Sequence, residues 1–425
     1  RMNCKIKSLI EMNKIIILAG VFVSLLSCRG GEQKNTMNQT AGNMNKDSTK
    51  LYGYNLDFLR KHTEVIELRK GNSSVAVVPT WQGRVMTSTT EGYNGYSFGW
   101  INHDLISSGK TLPHINAFGG EERLWLGPEG GQFAIFFKKG DDFVYDNWQT
   151  PAFIDTEPFQ VTGKTDTSVN FSQSARIENY SGSSFSLRIE RIVTLLSENQ
   201  LKKLAGVKSE GLNCVAYRSE NKLINEGTRE WAKETGLLSV WMLGMFNPSP
   251  SVVVVIPIKP GDEKDLGVAV NDSYFGKIPA DRLRVIDNRI FFRADGKSRG
   301  KIGINQQRAT GVLGSYDSDN KALTFLFCEL PDTRSDYVNS AWELQKDPYS
   351  GDALNSYNDG PLADGSQMGP FYELETSSPA AALKPGASLK HDQITVHLTG
   401  DRSLLDKVTQ EILGVTLEQV ENAFK

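Results

Sequence analysis

Residues 184–196 read Ser-Phe-Ser-Leu-Arg-Ile-Glu-Arg-Ile-Val-Thr-Leu-Leu, and this stretch decides the fold class. Phe185, Leu187 and Ile189 occupy every second position, which places them on one face of a β-strand. Val252-Val253-Val254-Val255-Ile256 is instead a continuous β-branched run. Such a run is typical of a strand in the middle of a sheet with both faces covered. These two patterns predict a protein built mainly from β-sheets.

Strand-like segments recur from Glu64 onward, and most are short and end at Gly, Asn, Asp or Ser. The predicted strands are 64–69, 74–79, 84–89, 132–138, 168–177, 184–196, 212–224, 237–246, 252–258, 282–293, 311–316, 322–329, 371–375 and 392–398. With 39 Gly residues, this composition is typical of an antiparallel β protein with many turns. About fifteen strands exceed what one open sheet usually carries, so two stacked sheets are expected.

Helix is predicted mainly at the C-terminal end, within residues 401–424. Apolar residues form one stripe after Asp401, and Gly414 follows as a stop signal. Thr416 with Gln419 three residues later has the pattern of a capping box for a second short helix. A turn or two of helix is also expected at residues 57–61. Residues 51–425 are predicted to form a single domain.

The N-terminal residues predict export from the cytoplasm. Lys14 precedes an apolar run of about twelve residues, which is shorter than the about 20 that a membrane span needs. Residues 1–27 are therefore interpreted as a secretory signal peptide, with Met12 as a more natural start than Arg1. Leu25-Leu26-Ser27-Cys28 resembles a bacterial lipobox, which implies lipid modification of Cys28. The alternative is a cleaved signal of a soluble secreted protein.

The segment 28–50 is rich in Asn, Gln, Lys, Thr, Gly and Met and lacks apolar periodicity. We expect a flexible tether that holds the domain away from the cell-envelope membrane to which Cys28 would anchor it. The formal net charge is −3 and no long basic block occurs, which argues against nucleic acid as a partner. A monomer is expected. Cys214 and Cys328 are expected to be buried free thiols, with one bridge between them as the alternative.

The first candidate binding segment is residues 118–132, Phe-Gly-Gly-Glu-Glu-Arg-Leu-Trp-Leu-Gly-Pro-Glu-Gly-Gly-Gln. Its five Gly and one Pro predict a backbone that is neither regular helix nor regular strand. Gly permits positive φ and close approach of a ligand to the main chain. The residues that could contact or exchange protons with a polar ligand are Glu121, Glu122, Arg123, Trp125 and Glu129. The alternative is a surface turn with solvated carboxylates.

The second candidate is the strand at residues 371–376, which follows a long polar Gly/Pro loop containing Asp359. Because side chains alternate along a strand, Glu373 and Glu375 share one face. Two close carboxylates raise the pKa of at least one of them, which prepares it for proton transfer. The alternative is an exposed strand face bearing two solvated Glu side chains.

Histidine, tryptophan and acidic loops complete the candidates. His103 and His114 flank the first segment, and either could act as a general acid near neutral pH. Trp100 and Trp125 lie beside the polar residues and could stack on the apolar faces of sugar rings. The Asp/Asn-rich loops 317–320 and 355–364 offer oxygen ligands for Ca²⁺, but neither has the full EF-hand spacing. No Cys/His spacing suggests zinc, and no metal or other cofactor is assigned.

Three segments resemble galactose mutarotase-like proteins, the superfamily that includes aldose 1-epimerases. Residues 81–88, Trp-Gln-Gly-Arg-Val-Met-Thr-Ser, resemble an early strand of such domains. Gly119-Gly120-Glu121 lies where epimerases place their first substrate contacts. Residues 373–386 resemble the epimerase C-terminal strand, whose catalytic Glu matches Glu375. The segment 119–131 also resembles uncharacterised Bacteroides-type lipoproteins of this superfamily.

This resemblance covers about residues 60–400 and implies an all-β, antiparallel two-sheet β-supersandwich with a short C-terminal helical tail. It also implies a carbohydrate held in a concave sheet face. The candidate catalytic residues are Glu375 as base, Glu373, and His114, His103 or Glu121 as acid. The candidate sugar-binding residues are Glu122, Arg123, Trp125, Trp100, Arg84, Asp359 and Glu129.

One departure from the epimerase pattern leaves two functions open. Epimerases carry a His on a central strand as the acid, and the comparable residues 225–227 and 239–242 contain none. The chain is therefore interpreted either as an enzyme that epimerises an aldose at C1 or as a carbohydrate-binding lipoprotein without catalysis. A lyase or hydrolase acting on acidic polysaccharide is less favoured, because no clear Tyr/His/Arg set is present.

Overall fold

Antiparallel β-strands are the main regular secondary structure of the computed structural model, which describes residues 48–425. The predicted signal peptide, Cys28 and nearly all of the predicted tether lie outside the described residues. The strands are β1 Ile66–Lys70, β2 Ser73–Val78, β3 Arg84–Thr89, β4 Arg123–Gly127, β5 Gln160–Lys164, β6 Ser168–Glu178, β7 Ser184–Leu195, β8 Asn213–Asn225, β9 Ser239–Phe246, β10 Val253–Pro257, β11 Leu283–Ile286, β12 Arg289–Arg293, β13 Gly300–Ile304, β14 Val312–Asp317, β15 Ala322–Cys328, β16 Leu354–Asn358, β17 Tyr372–Ser377 and β18 Ser388–Thr399.

These strands form three sheets. The largest has the order β11-β12-β10-β14-β15-β18-β8-β7-β6-β5, the second the order β13-β16-β17-β9-β4, and the third the order β1-β2-β3. Every pairing between these strands is antiparallel. Strand β10 is buried along its whole length between β12 and β14, as its β-branched run predicts. The predicted all-β antiparallel architecture is confirmed.

The two larger sheets enclose the main apolar core. Leu124 and Met242 of the five-stranded sheet belong to the same buried cluster as Phe171, Leu187 and Tyr217 of the ten-stranded sheet. In β7 the buried positions alternate with half-buried ones, which matches the pattern that predicted this strand. Burial of such alternating rows removes apolar area from water and so favours this stacking of the sheets.

The helices are α1 Tyr52–His62, α2 His103–Ser108, α3 Glu198–Ala205, α4 Glu263–Leu266, α5 Arg402–Leu413 and α6 Leu417–Asn422. The predicted C-terminal tail is confirmed in detail. Asp401 accepts hydrogen bonds from the first turn of α5, Gly414 ends it at φ 71°, and Thr416 with Gln419 forms the predicted capping box of α6. Among the described residues, no helix is both long and apolar enough to cross a membrane.

Several local predictions were wrong, and each has a physical reason. Residues 132–138 form turns and bends in place of a strand, and their apolar side chains from Ala134 to Phe137 are all buried in the main core without alternation. Residues 123–127, predicted to be irregular, form β4, which is paired with β9. Residues 354–358, within the predicted polar loop, form β16 between β13 and β17. Residues 282–293 form two strands, since Asp287 and Asn288 turn the chain at positive φ.

The two thiols of the domain are free. Cys214 lies in β8 and Cys328 in β15, and both side chains are half-buried. Burial raises the pKa of both Cys214 and Cys328 to about 12. The free state was the expected one, although the residues are less fully buried than predicted.

Candidate functional site

One face of the five-stranded sheet brings together most of the charged candidates. Arg123 of β4, Glu375 of β17 and Asn355 of β16 belong to one row of paired residues across the strands. The next row on the same face contains Glu373 of β17 and Lys301 of β13. Because directly paired residues in an antiparallel sheet share a face, these side chains converge. Together with Glu129, the four charged residues Arg123, Lys301, Glu373 and Glu375 are called the charged cluster below.

Glu375 is held by two donors from different strands. Its Oε2 accepts hydrogen bonds from Lys301 Nζ at 2.9 Å and from Trp241 Nε1 at 2.9 Å. Its Oε1 is buried and has no hydrogen-bond partner among the described residues. A carboxylate fixed through one oxygen, with the other oxygen unpaired, can accept a proton or a hydroxyl hydrogen bond from a ligand.

Glu373 pairs with Arg123 beside it. Arg123 Nη2 donates to Glu373 Oε1 at 2.8 Å, and both residues are almost fully buried. Nε and Nη1 of Arg123 are also buried, and neither has a partner among residues 48–425. Because buried donors without partners cost free energy, these two N–H groups are candidates for binding the oxygens of a ligand.

Burial shifts the proton affinities in the charged cluster. It raises the pKa of Glu373 to about 7, against the opposing charge of Arg123 and with support from Glu375. Burial also raises the pKa of Glu129. At Lys301 burial favours the neutral amine, but the charges of Glu375, Glu129 and Glu373 overcome it and raise the pKa. The face therefore holds Glu375, to which Lys301 donates a hydrogen bond, beside Glu373, whose pKa burial raises to about 7.

Aromatic side chains surround the charged cluster. The Arg123 guanidinium lies 4.3 Å from the ring centroid of Trp125, and Lys301 Nζ lies 4.7 Å from that of Trp241. Trp125 packs edge-on against Trp241, and Trp148 stacks on Trp342. These rings lower the local polarity, which strengthens the charge interactions inside the cluster.

The side of the charged cluster next to β13 is lined by a second polar group. Tyr274 donates its hydroxyl hydrogen to Asp352 at 2.6 Å and accepts a hydrogen bond from Asn355 Nδ2 at 3.2 Å. Lys301 Nζ lies 5.6 Å from the Tyr274 ring centroid. Burial raises the pKa of the Asp352 carboxyl. This group continues the polar face from Glu375 toward the sheet edge.

Two predicted residues, Glu121 and Glu122, lie on the opposite side of the sheet. Both are fully buried between the sheets, where Glu121 pairs with His397 at 2.6 Å and Glu122 with Arg191 at 2.6 Å. Side chains alternate at the start of β4, so Arg123 faces the charged cluster while its neighbour Glu122 faces the core. Glu121 lies before the strand begins, and its pairing with His397 of β18 places it in the core as well. The roles of acid and of sugar contact predicted for these two residues therefore do not fit their positions.

Arg84 is also internal. It is buried and donates to the Gly119 carbonyl at 3.1 Å, so it shapes the backbone before β4 and does not reach the charged cluster. Gly119 and Gly120 have φ of 98° and 106°, as the Gly-rich sequence suggested. A Cβ on Gly119 would lie 2.1 Å from the Trp100 carbonyl oxygen. Position 119 therefore requires Gly because the backbone of Trp100 packs closely against it, and the approach of a ligand is not needed to explain this residue.

Neither predicted histidine joins the charged cluster. His103 bonds to Asn55 at 2.8 Å and lines a separate cleft of about 300 Å³. His114 donates a hydrogen bond of 2.7 Å from its Nδ1 to the Trp148 carbonyl, and it packs on Tyr145. A second cleft, of about 670 Å³, is lined in part by Phe136 and Phe137, and none of its lining residues belongs to the charged cluster.

The remaining predicted residues are near the charged cluster but enclosed. Trp125 is 3% exposed, and Trp100, 8% exposed, packs on Phe371, so neither offers an open platform. Asp359 accepts hydrogen bonds from the Tyr357 hydroxyl at 2.7 Å and from the Gly369 amide at 3.0 Å. Asp359 thus orients Tyr357, which lies between Glu373 and Lys301 in the same row of the sheet.

Lys301, Trp241 and Tyr274 were not predicted. Lys301 lies in Gly-Lys-Ile-Gly-Ile, a strand too short and too rich in Gly to be recognised from its pattern. Its alternation of Ile302 and Ile304 with Lys301 was the one signal that could have placed Lys301 on a polar face. Trp241 is part of a strand that was predicted, but its partner Glu375 lies 134 residues away.

In the Asp/Asn-rich loop 317–320, which offers oxygen ligands for Ca²⁺, the Asp317 carboxylate is occupied by hydrogen bonds from the protein itself. Asp317 Oδ1 accepts hydrogen bonds from Ser249, Ser251 and the amides of residues 319 and 320. Among residues 48–425, no group of three or more His, Cys, Asp or Glu side chains is placed to hold a metal ion.

A family model for DUF6786, described as a family of unknown function, matches residues 50–424. The chain belongs to this family. Among curated proteins, none matches the chain in sequence. The family match covers all strands that carry the charged cluster.

Several of the similar solved structures are described as galactose mutarotase-like or putative aldose 1-epimerase proteins, as the sequence resemblance predicted. Slr1438 from Synechocystis sp. PCC 6803 has 12% identity and a TM-score of 0.48, with 80% of this chain and 96% of that chain covered. A putative aldose 1-epimerase from Escherichia coli K12 has 12% identity and a TM-score of 0.45, with 79% and 98% covered.

A galactose mutarotase-like protein from Lactobacillus casei ATCC 334 has 11% identity and a TM-score of 0.45, with 79% of this chain and 100% of that chain covered. With TM-scores below 0.5, none of these similarities says which residues of this chain contact a ligand. The likeness to Bacteroides-type lipoproteins stays a prediction.

Proposed function

We propose that the charged cluster binds a sugar and catalyses opening and closing of its ring at C1. The observation that carries this proposal is the pair Glu373–Glu375 on one buried face, where Lys301 donates a hydrogen bond to Glu375 and burial raises the pKa of Glu373 to about 7. An acid and a base whose environments differ in this way are what proton transfer at neutral pH requires.

The proposed chemistry uses both carboxyl groups. Glu375 Oε1 takes the proton of the C1 hydroxyl, the C1–O5 bond breaks, and Glu373 gives a proton to the ring oxygen O5. Rotation about the C1–C2 bond and the reverse steps then close the ring in the other anomeric form. Unpaired N–H groups of Arg123 hold sugar oxygens, and Trp125 and Trp241 exclude water.

A second candidate is a carbohydrate-binding protein without catalysis. It is favoured by the position of the imidazoles: among the described residues, no histidine hydrogen-bonds to or stacks on Arg123, Lys301, Glu129, Glu373 or Glu375. In that case the same cluster would hold a sugar but leave the rate of anomer exchange unchanged.

The deciding experiment is anomer exchange by NMR on freshly dissolved aldoses, with purified full-length protein. We expect faster exchange of at least one sugar and a loss of about 100-fold or more in Glu375→Gln, since a positioned general base typically contributes that much. Glu411→Gln, at an exposed carboxylate of α5, is the matched control. Binding without acceleration would replace the enzyme by the second candidate, and turnover in Glu375→Gln equal to the wild type would refute the role of Glu375.

We further propose that the protein is a cell-envelope lipoprotein anchored through Cys28, on the basis of the lipobox-like residues 25–28. Palmitate labelling of cells that produce the protein tests this. Incorporation that is lost in Cys28→Ala is expected, whereas a released, unlabelled wild-type protein would support the soluble secreted alternative.

A further inference from the structure

Phe275 is an exposed aromatic residue at the edge of the proposed sugar site. Its side chain is 48% exposed, whereas its neighbour Tyr274 turns inward and bonds to Asp352 and Asn355 beside the charged cluster. The segment 271–278 therefore has one aromatic residue inside the site and the next one outside it. An exposed Phe loses the free energy that burial would have contributed.

The segment that carries Phe275 is held in place by the sheet. Asn271 and Gly303 of β13 exchange two backbone hydrogen bonds of 2.8 Å each. Asp272 accepts hydrogen bonds from Lys277 Nζ at 2.9 Å and from the Ile278 amide at 3.3 Å, which closes the turn. The exposed ring thus has a defined position, so little conformational entropy is lost when a ligand contacts it.

A series of side-chain contacts leads from the charged cluster to Phe275. Tyr357 is the paired neighbour of both Glu373 and Lys301 in the sheet, and its ring lies 5.9 Å from that of Phe275 in an edge-on arrangement. The Arg299 guanidinium lies 3.9 Å from the Phe275 ring centroid. Arg299 is exposed and forms no ion pair with any described residue, so its N–H groups are available to a ligand.

We propose that Phe275 and Arg299 form a binding site for a second sugar ring, so that the substrate is the end of an oligosaccharide and not a free monosaccharide. This inference rests on the proposed function of the charged cluster. The apolar C–H face of a pyranose packs on an aromatic ring, and a guanidinium fork donates to neighbouring hydroxyls. The terminal unit occupies the charged cluster, Tyr357 lies at the junction, and the next unit lies against Phe275.

The test compares ligand lengths. Affinities of the purified full-length protein are measured by calorimetry for malto-, cello- and β-1,3-gluco-oligosaccharides of one to four units. Wild type, Phe275→Ala and Arg299→Ala are compared, with Tyr93→Ala as control. Tyr93 is similarly exposed at 53% but packs on α1, against Gly53. Because Phe275 and Arg299 are exposed, neither substitution removes a core contact, and circular dichroism confirms folding.

In the wild type, we expect affinity to rise from one to two units in at least one series. In Phe275→Ala, the affinity for two or more units falls by roughly two- to tenfold, while that for one unit is unchanged. Equal affinity for one and several units in the wild type, or a length dependence that survives in both variants, would overturn the inference while leaving the proposed function intact. Failure of every sugar, single or linked, to bind would overturn both.

Discussion

The raised pKa of Glu373 predicts how the free energy of unfolding changes with pH. Burial raises its pKa from the ordinary value of 4.5 to about 7 in the folded protein. Below about pH 4.5 the carboxyl is protonated in both states. As the pH rises from there to about 7, the unfolded chain loses this proton and the folded protein keeps it, which stabilises the unfolded chain. Each pKa unit corresponds to about 1.4 kcal/mol, so the folded state loses about 3 kcal/mol over this range.

The substitution Glu373→Gln isolates this effect, because Gln keeps the size and an oxygen that can accept from Arg123 but does not titrate. The free energy of unfolding of both proteins is measured by urea titration at several pH values from 4 to 8. The difference, wild type minus variant, is expected to fall by about 3 kcal/mol as the pH rises. Burial also raises the pKa values of Glu129 and Asp352. Both groups titrate in the wild type and in the variant, so their contributions cancel in the difference between the two free energies of unfolding.

Glu343→Gln, at an exposed position, serves as the control and should show no such trend. A difference between wild type and Glu373→Gln that stays constant from pH 4 to 8 would refute the reasoning. It would mean that Arg123 outweighs burial and that Glu373 is ionised throughout, leaving the site without its proposed acid.

Three further predictions concern the scaffold. Arg191→Met should lower the free energy of unfolding by about 3–5 kcal/mol in urea titration, because it leaves the fully buried Glu122 without its cation. Joint replacement of Arg191 and Glu122 by Met should cost less than Arg191→Met alone. An equal cost for the single and the double variant would contradict this. Gly244→Ala should cost about 1–3 kcal/mol, since its Cβ would lie 2.4 Å from the Glu121 carbonyl oxygen, and a neutral effect would show that β9 can shift. Burial raises the pKa of Cys214 and Cys328 to about 12, so both thiols should resist iodoacetamide at pH 8 in the folded protein and react after unfolding. Mass spectrometry measures the labelling. Rapid labelling of the folded protein would contradict the raised pKa values.

Much of the fold was predictable because its signals are local. Alternation in residues 184–195 and the β-branched run of β10 depend on side chains a few residues apart. The caps of α5 and α6 depend on three or four consecutive residues. Strand β4 escaped prediction because Gly and Pro residues flank it, and β16 because most of its residues are polar. Only pairing with β9, β13 and β17 makes them strands.

The sequence by itself determined that Glu373 and Glu375 share a face, because the period of a strand is two whatever surrounds it. It also determined the strand-rich architecture and the helical tail. Only the tertiary structure decided that Glu122 turns into the core while Arg123 faces the site. The hydrogen bond between Lys301 and Glu375, 74 residues apart, exists only in the folded structure, and so does the burial that raises the pKa of Glu373. Register and burial arise from contacts between strands distant in the chain, and no local pattern encodes them.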